Sequence, residues 1–212
     1  MHQQNTKPLI RKIASSLALC SLLLSGCATI TPPDKVEPST SQRIYKDALE
    51  LDGRLSVQYQ KNEQDEAIHA SFTWKQSKDS STITILSPLG QILATIDVKP
   101  GIATLTQSGQ ASRSAADVDT MAEQALGWPL PVSGLRNWLQ GFATDANNKA
   151  FIAAATNTKV LTRDGWNIQY MSWEDDNQTP PQSRPKRIDL TRQTEQAGKV
   201  MIRIVLDKWQ AQ

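Results

Sequence analysis

The 212-residue sequence is poor in the side chains that most often carry chemistry: two cysteines, Cys20 and Cys27, and two histidines, His2 and His69. A Ser/His/Asp triad would have to be assembled around His69, and no Gly-x-Ser-x-Gly elbow is present. His69 falls on the polar side of an alternating run, the position of an exposed bystander rather than a general base. Metal ligation would rest on carboxylates alone, and Glu174-Asp175-Asp176 lacks the alternating Asp/Asn and Gly of a calcium loop, so it reads as a solvated loop. The ten glycines stand singly at turns, which excludes a phosphate-cradling loop. No charge of one sign dominates: beyond residue 26 there are 20 basic against 21 acidic side chains, which leaves no basic footprint for nucleic acid. No enzyme, metal or cofactor is expected.

Long apolar runs are absent as well. The longest, Ile13–Leu24, has 12 residues, short of the roughly 20 that span hydrocarbon. It follows the basic MHQQNTKPLIRK and ends in small residues, the order of a secretory leader. Leu24-Ser25-Gly26-Cys27 resembles the lipobox of bacterial lipoproteins. That resemblance implies removal of residues 1–26, a diacylglyceryl group on the Cys27 sulfur and acylation of its new amine. Several acyl chains, at about 0.8 kcal/mol per buried CH₂, make a stable anchor where one is marginal. Cys20 leaves with the leader, so no intramolecular disulfide is expected. Ala28, where an Asp would retain an enterobacterial lipoprotein at the inner membrane, implies the outer membrane, with the domain facing the periplasm.

Residues 27–41 are rich in Thr, Pro and Ser and read as an extended linker, followed by one domain over 42–212. With 39% hydrophobic residues the chain is an ordinary globular one. Ser41 is placed to cap a short helix over 42–51 that carries Ile44, Ala48 and Leu51 on one side. From Leu55 the period becomes two: Leu55, Val57 and Tyr59, then Ile68, Ala70, Phe72 and Trp74, alternate with polar residues. Further strands are expected over 82–87, 91–98, 102–107, 110–114, 159–163, 166–173, 187–191 and 199–209, joined by short turns that favour antiparallel pairing. Two helices interrupt them, 116–126 and 132–139, the second with Ser133 as candidate cap; the stiff turn Gly127-Trp128-Pro129-Leu130-Pro131 lies between. The class is mainly β, α+β: a barrel or half-barrel with helices over its open side.

Six tryptophans are many for this length. Trp74, Trp128, Trp138 and Trp166, with Phe72 and Tyr170, fill a core or wall a cavity; spacing fits both. Leu89 is set apart, because Ser87-Pro88-Leu89-Gly90 dictates a tight turn that exposes it.

The runs Pro88-Leu89-Gly90, Pro100-Gly101-x-Ala-x-Leu, Gly127-Trp128-Pro129-Leu130-Pro131 and Leu135-Arg136-x-Trp138-Leu139-x-Gly141, with Gly53-Arg54-Leu55, Phe72-x-Trp74, Gly165-Trp166-x-Ile-x-Tyr170 and Ile204-x-Leu206-x-x-Trp209, resemble in their order the LolB family of outer-membrane lipoprotein receptors. The resemblance covers nearly the whole chain beyond Cys27. It implies an incomplete antiparallel β-barrel with a helical lid over an apolar cavity that holds acyl chains. The implied partners are a LolA-like periplasmic carrier, acylated lipoprotein cargo and outer-membrane phospholipid, with the chain a monomer. The loop Pro88, Leu89, Gly90 takes the membrane-delivery role by that resemblance, and Phe72, Trp74, Trp128, Trp138, Trp166 and Tyr170 take the cavity wall as a set. The helices 116–126 and 132–139 would be the lid. Two rivals stand beside it: a scaffold lipoprotein with a solid core, and an envelope lipase or esterase that needs His69 beside a buried serine.

Overall fold

The computed structural model describes residues 43–175 and 183–211; Cys27, the leader, the linker, Gln42 and Asp176 lie outside the described residues. Ten strands form one sheet: β1 (Leu49–Lys61), β2 (Gln64–Gln76), β3 (Ser81–Leu86), β4 (Ile92–Lys99), β5 (Ile102–Gln107), β6 (Arg113–Ala115), β9 (Lys159–Leu161), β10 (Asn167–Asp175), β11 (Ser183–Gln193) and β12 (Lys199–Ala211). Two helices, α1 (Val118–Leu126) and α2 (Val132–Trp138), and a small sheet of β7 (Phe142–Thr144) and β8 (Ala150–Ile152), lie between β6 and β9 in the chain.

The sheet runs β6-β5-β4-β3-β2-β1-β12-β11-β10-β9. Every pair is antiparallel, and β6 and β9 remain as open edges, so the barrel is incomplete. Alternation decides the inner face. Leu49, Leu51, Leu55, Val57 and Tyr59 of β1 are buried, as are Ala70, Phe72 and Trp74 of β2 and Ile202, Ile204 and Leu206 of β12. Beyond Leu206 the register of β12 slips at Asp207, and this bulge turns Trp209 back toward the face on which it pairs with Leu51.

The helix expected over 42–51 is not formed. Leu49–Leu51 instead begin β1, paired on one side with Gln76–Trp74 and on the other with Ala211–Trp209. Ile44, Ala48 and Leu51 have helical spacing, but Leu49 and Leu51 also alternate, and two waiting neighbours satisfy the backbone of a strand on both edges. Ile44 is 58% exposed, so no apolar helical face is buried there. The mid-chain helices agree with the periodicity, with one change. Asp117 caps α1, accepting from the amides of Asp119 and Thr120, whereas α2 begins after Pro131 and Ser133 is not its cap. The Ser133 amide and hydroxyl both donate to Asp119, which binds the start of α2 to α1.

The sheet curls around α2. Arg136 of α2 bonds to the β2–β3 turn and to Ser81 of β3, while Tyr170 of β10 donates its hydroxyl to the carbonyl of Trp138 at 3.1 Å. β3 and β10 are five strand spacings apart, about 24 Å on a flat sheet. Both meet a seven-residue helix about 10 Å long, which only a strongly concave sheet allows.

Candidate functional site

Between that concavity and α2 lies an apolar cavity. Leu55 of β1, Phe72 and Trp74 of β2, Ile83 and Ile85 of β3, and Ile202 and Ile204 of β12 form its floor. Leu130 and, from α2 and its end, Val132, Leu135 and Leu139 form its roof. No polar side chain lines it, and its free volume is about 20 Å³. That is room for about one water, with no polar partner to hold it, so the cavity is dry. It is far below the roughly 300 Å³ at which small-molecule pockets begin.

The roof is held by polar contacts at its rim. Arg136 Nη1 donates to Ser81 Oγ at 2.8 Å and to the Ser80 carbonyl at 3.2 Å; Nη2 donates to the Lys78 carbonyl at 2.7 Å and to that of Ser77. Near the C-terminal end of α2, burial pushes the Tyr170 phenol well above its ordinary range, so it remains a proton donor to the Trp138 carbonyl. Burial also raises the Asp119 carboxyl above its usual range, against the opposing bonds from Ser133, and the charges of Asp117 and Asp164 push it the same way. Beside the roof, a cleft of about 310 Å³ is lined by Lys78, Lys99, Pro100, Val118 and Arg136, among others. Trp74 and Val132 are shared between cleft and cavity.

The aromatic set expected from the sequence divides. Phe72 and Trp74 line the cavity. Trp128, Trp138, Trp166 and Tyr170 are all buried but stand outside its lining. Trp128 packs against Tyr59 at 6.3 Å, Trp138 against Trp166 at 6.4 Å, and Tyr170 stacks on Trp173 at 5.8 Å and on Phe151 at 6.3 Å. These four belong to the packing behind and beside α2. The cavity wall is mostly aliphatic, and the inward parity of each strand marks its floor residues as inward-facing without separating them from the packed core. Arg136 gave no such signal, because three of its four acceptors are backbone carbonyls.

The Pro88, Leu89, Gly90 loop is the β3–β4 turn. Its Leu89 is 88% exposed, and Ile92 and Leu93, at the start of β4, are 58% and 44% exposed. Gly90 takes φ +81°, a conformation that most side chains would strain, and so helps close the five-residue turn 87–91. His69 is exposed on β2 opposite Ser56. Glu174 ends in an ion-paired cluster with Arg184 and Lys186.

The family described as "Outer membrane lipoprotein LolB" matches residues 47–209. The outer-membrane lipoprotein LolB of Cupriavidus metallidurans is 34% identical over 203 residues, covering 93% of this chain and 96% of that protein. That of Stutzerimonas stutzeri is 29% identical over 205 residues, covering 92% and 94%. A solved structure, the LolA superfamily protein NE2245 from Nitrosomonas europaea, aligns over 80% of this chain and 88% of its own at TM-score 0.43 and 9% identity, a distant likeness. With a family match over most of its length and relatives at a third identity end to end, this chain belongs to the LolB family of outer membrane lipoproteins.

Proposed function

We propose that this chain is an outer-membrane lipoprotein receptor: it takes acylated lipoproteins from a LolA-like periplasmic carrier, holds their acyl chains between sheet and α2, and passes them into the membrane. Within that reading Cys27 carries the lipid anchor. The observation that carries it is the cavity itself, a dry space walled entirely by apolar side chains under a helix whose rim is fastened by hydrogen bonds. In its described state it is closed. Loading therefore requires α2 to lift, and the polar rim is what must yield. Each CH₂ left in water during transfer costs about 0.8 kcal/mol, which favours mouth-to-mouth passage over release, with the bilayer as final sink. No nucleotide enters this scheme.

The nearly filled cavity also favours a second reading, a scaffold lipoprotein with a solid core and no acyl ligand. One experiment separates the two. The mature chain with Cys27 replaced by Ala is mixed with carrier loaded with a radiolabelled lipoprotein, and the proteins are separated. Label moving to this chain without nucleotide supports the receptor. Label retained by a carrier that is competent with another receptor leaves the scaffold. In the same assay His69→Ala should behave as the parent, since an exposed His on β2 has no part in acyl transfer.

A further inference from the structure

The β3–β4 turn closes on itself in a way that water does not require. Four of its five residues have a backbone N–H, and each donates inside the turn. The Ser87 amide donates to the Gln91 carbonyl at 2.8 Å, and the Gly90 amide to the Ser87 carbonyl at 2.9 Å. The Leu89 and Gln91 amides both donate to the Ser87 hydroxyl oxygen, at 3.3 and 3.2 Å. The fifth residue, Pro88, has no N–H. At an exposed turn such donors are served equally well by solvent, so saturation brings little in water. In hydrocarbon each would need an internal partner, and amides are the backbone groups least often left open.

The surroundings match. From Ser80 to Ile96 the chain carries no charged side chain, although 21% of all residues are charged. Among the described residues, three of the eight exposed large hydrophobic ones, Leu89, Ile92 and Leu93, lie within five positions of one another at this tip. Clustered apolar exposure within a charge-free run of chain marks an interaction surface. Its occupant must accept apolar side chains and backbone without offering hydrogen bonds, which describes the acyl region of a lipid bilayer rather than a protein surface.

We propose that Ser87 makes this turn competent to enter the membrane: its hydroxyl oxygen receives the two amides, of Leu89 and Gln91, and so lets the backbone of the tip leave water together with Leu89, while Ile92 and Leu93 set the depth of entry. Ser87 acts through the backbone and is a positioning residue. The proposal rests on the receptor reading and deepens its delivery step.

The test uses the full mature chain with Gln91→Cys carrying an NBD fluorophore, since only the backbone of Gln91 takes part in the turn. It is mixed with phosphatidylethanolamine/phosphatidylglycerol vesicles containing doxyl-labelled lipid. The parent tip and Ser87→Thr should show blue-shifted, quenched NBD emission. Ser87→Ala should lose at least tenfold in vesicle-dependent quenching while its thermal midpoint stays within about 2 °C of the parent's, because the two freed amides are hydrated in water but orphaned in lipid. Equal quenching of Ser87→Ala and the parent overturns the role of Ser87 and leaves membrane contact standing. An unquenched parent overturns membrane contact itself, and this inference with it. A Leu93→Glu variant that quenches as the parent does would remove Leu93 from the footprint.

Discussion

Gly53 stands opposite Phe72 in the β1–β2 pair, and the Phe72 ring lies close against it. A Cβ at this position would come within 2.7 Å of that ring and 2.5 Å of the Val205 carbonyl oxygen, which is backbone and cannot swing aside. Phe72 is also a floor residue of the cavity, so the glycine shapes the site through its neighbour. Gly53→Ala should cost about 2 kcal/mol, within the range of overpacked cores, and should displace Phe72 into the cavity. Denaturant melts measure the first effect; an Ala variant as stable as the parent would mean that β12 yields easily. Asp119 makes a second prediction at this scale. Its carboxyl is raised by burial, so between the ordinary carboxylate range and its raised value the folded chain binds more protons than the unfolded one. Stability from this group is therefore greatest below the unfolded value and falls as pH rises through that window. Asp119→Asn, which can still receive the Ser133 amide, should remove that slope and match or exceed the parent at pH 7. Asp119→Ala should lose about 1 kcal/mol, since the Ser133 amide at the start of α2 then loses its side-chain acceptor. Thermal melts at several pH values decide it, and an unchanged slope in the Asn variant would refute the assignment.

At the scale of elements, α2 is the part that has to move in the proposed receptor. The Arg136 guanidinium fastens it to four oxygens around the β2–β3 turn, and charged hydrogen bonds are worth about 1.5–3 kcal/mol each when buried, less at a rim such as this. Arg136→Ala should destabilise the fold by about 2 kcal/mol and speed the uptake of a fluorescent fatty acid in stopped-flow mixing several-fold. Lower stability with unchanged uptake would mean that the cavity opens elsewhere. The β1–β2 hairpin offers a change in the opposite direction. Asn62 and Glu63 turn it with φ of 52° and 63°, so the second residue is a side chain where Gly is preferred. Glu63→Gly should raise the denaturation midpoint by an amount equivalent to about 0.5–1 kcal/mol, without altering cargo transfer.

These elements also show what could be read from the chain alone. Strands with one buried face were legible because side-chain period is two wherever a sheet covers a core, as in Leu55, Val57 and Tyr59. Residues 42–51 were not, because a two-turn apolar spacing (Ile44, Ala48, Leu51) and a short alternation (Leu49, Leu51) meet at Leu51, and only the presence of β2 and β12 on both sides decides between them. β7 and β8, three residues each, are too short to carry a period. Cavity and core were indistinguishable for the same reason that strands were legible: inward parity places Trp166 and Phe72 alike, and only the curl of the sheet puts one beside a void. Leu89 was legible, because Pro and Gly fix the turn locally. The acceptors of Arg136 and the donors served by Ser87 are backbone groups and leave no mark in side-chain pattern.

For the molecule as a whole, the proposed loading and delivery steps fall at different places in the fold. The cavity lies under α2, whose rim contacts gather at the β2–β3 turn, whereas Leu89 projects from the β3–β4 turn at the other end of β3. A lesion in one should leave the other intact. Moving Leu89 from water to the acyl region is favourable by a few tenths of a kcal/mol to about 2, and a charged side chain there costs about 3. Leu89→Glu thus weakens membrane contact by about 3 kcal/mol or more, a hundredfold in occupancy. Since Leu89 touches no wall of the cavity, acceptance of labelled cargo from the carrier should proceed at the parent's rate. Release into liposomes should drop by about the same hundredfold, so cargo accumulates on the variant. Measuring both steps on one preparation distinguishes the possibilities: loss of acceptance would place Leu89 at the carrier interface, and undiminished release would remove the tip from delivery and return that step to the α2 rim.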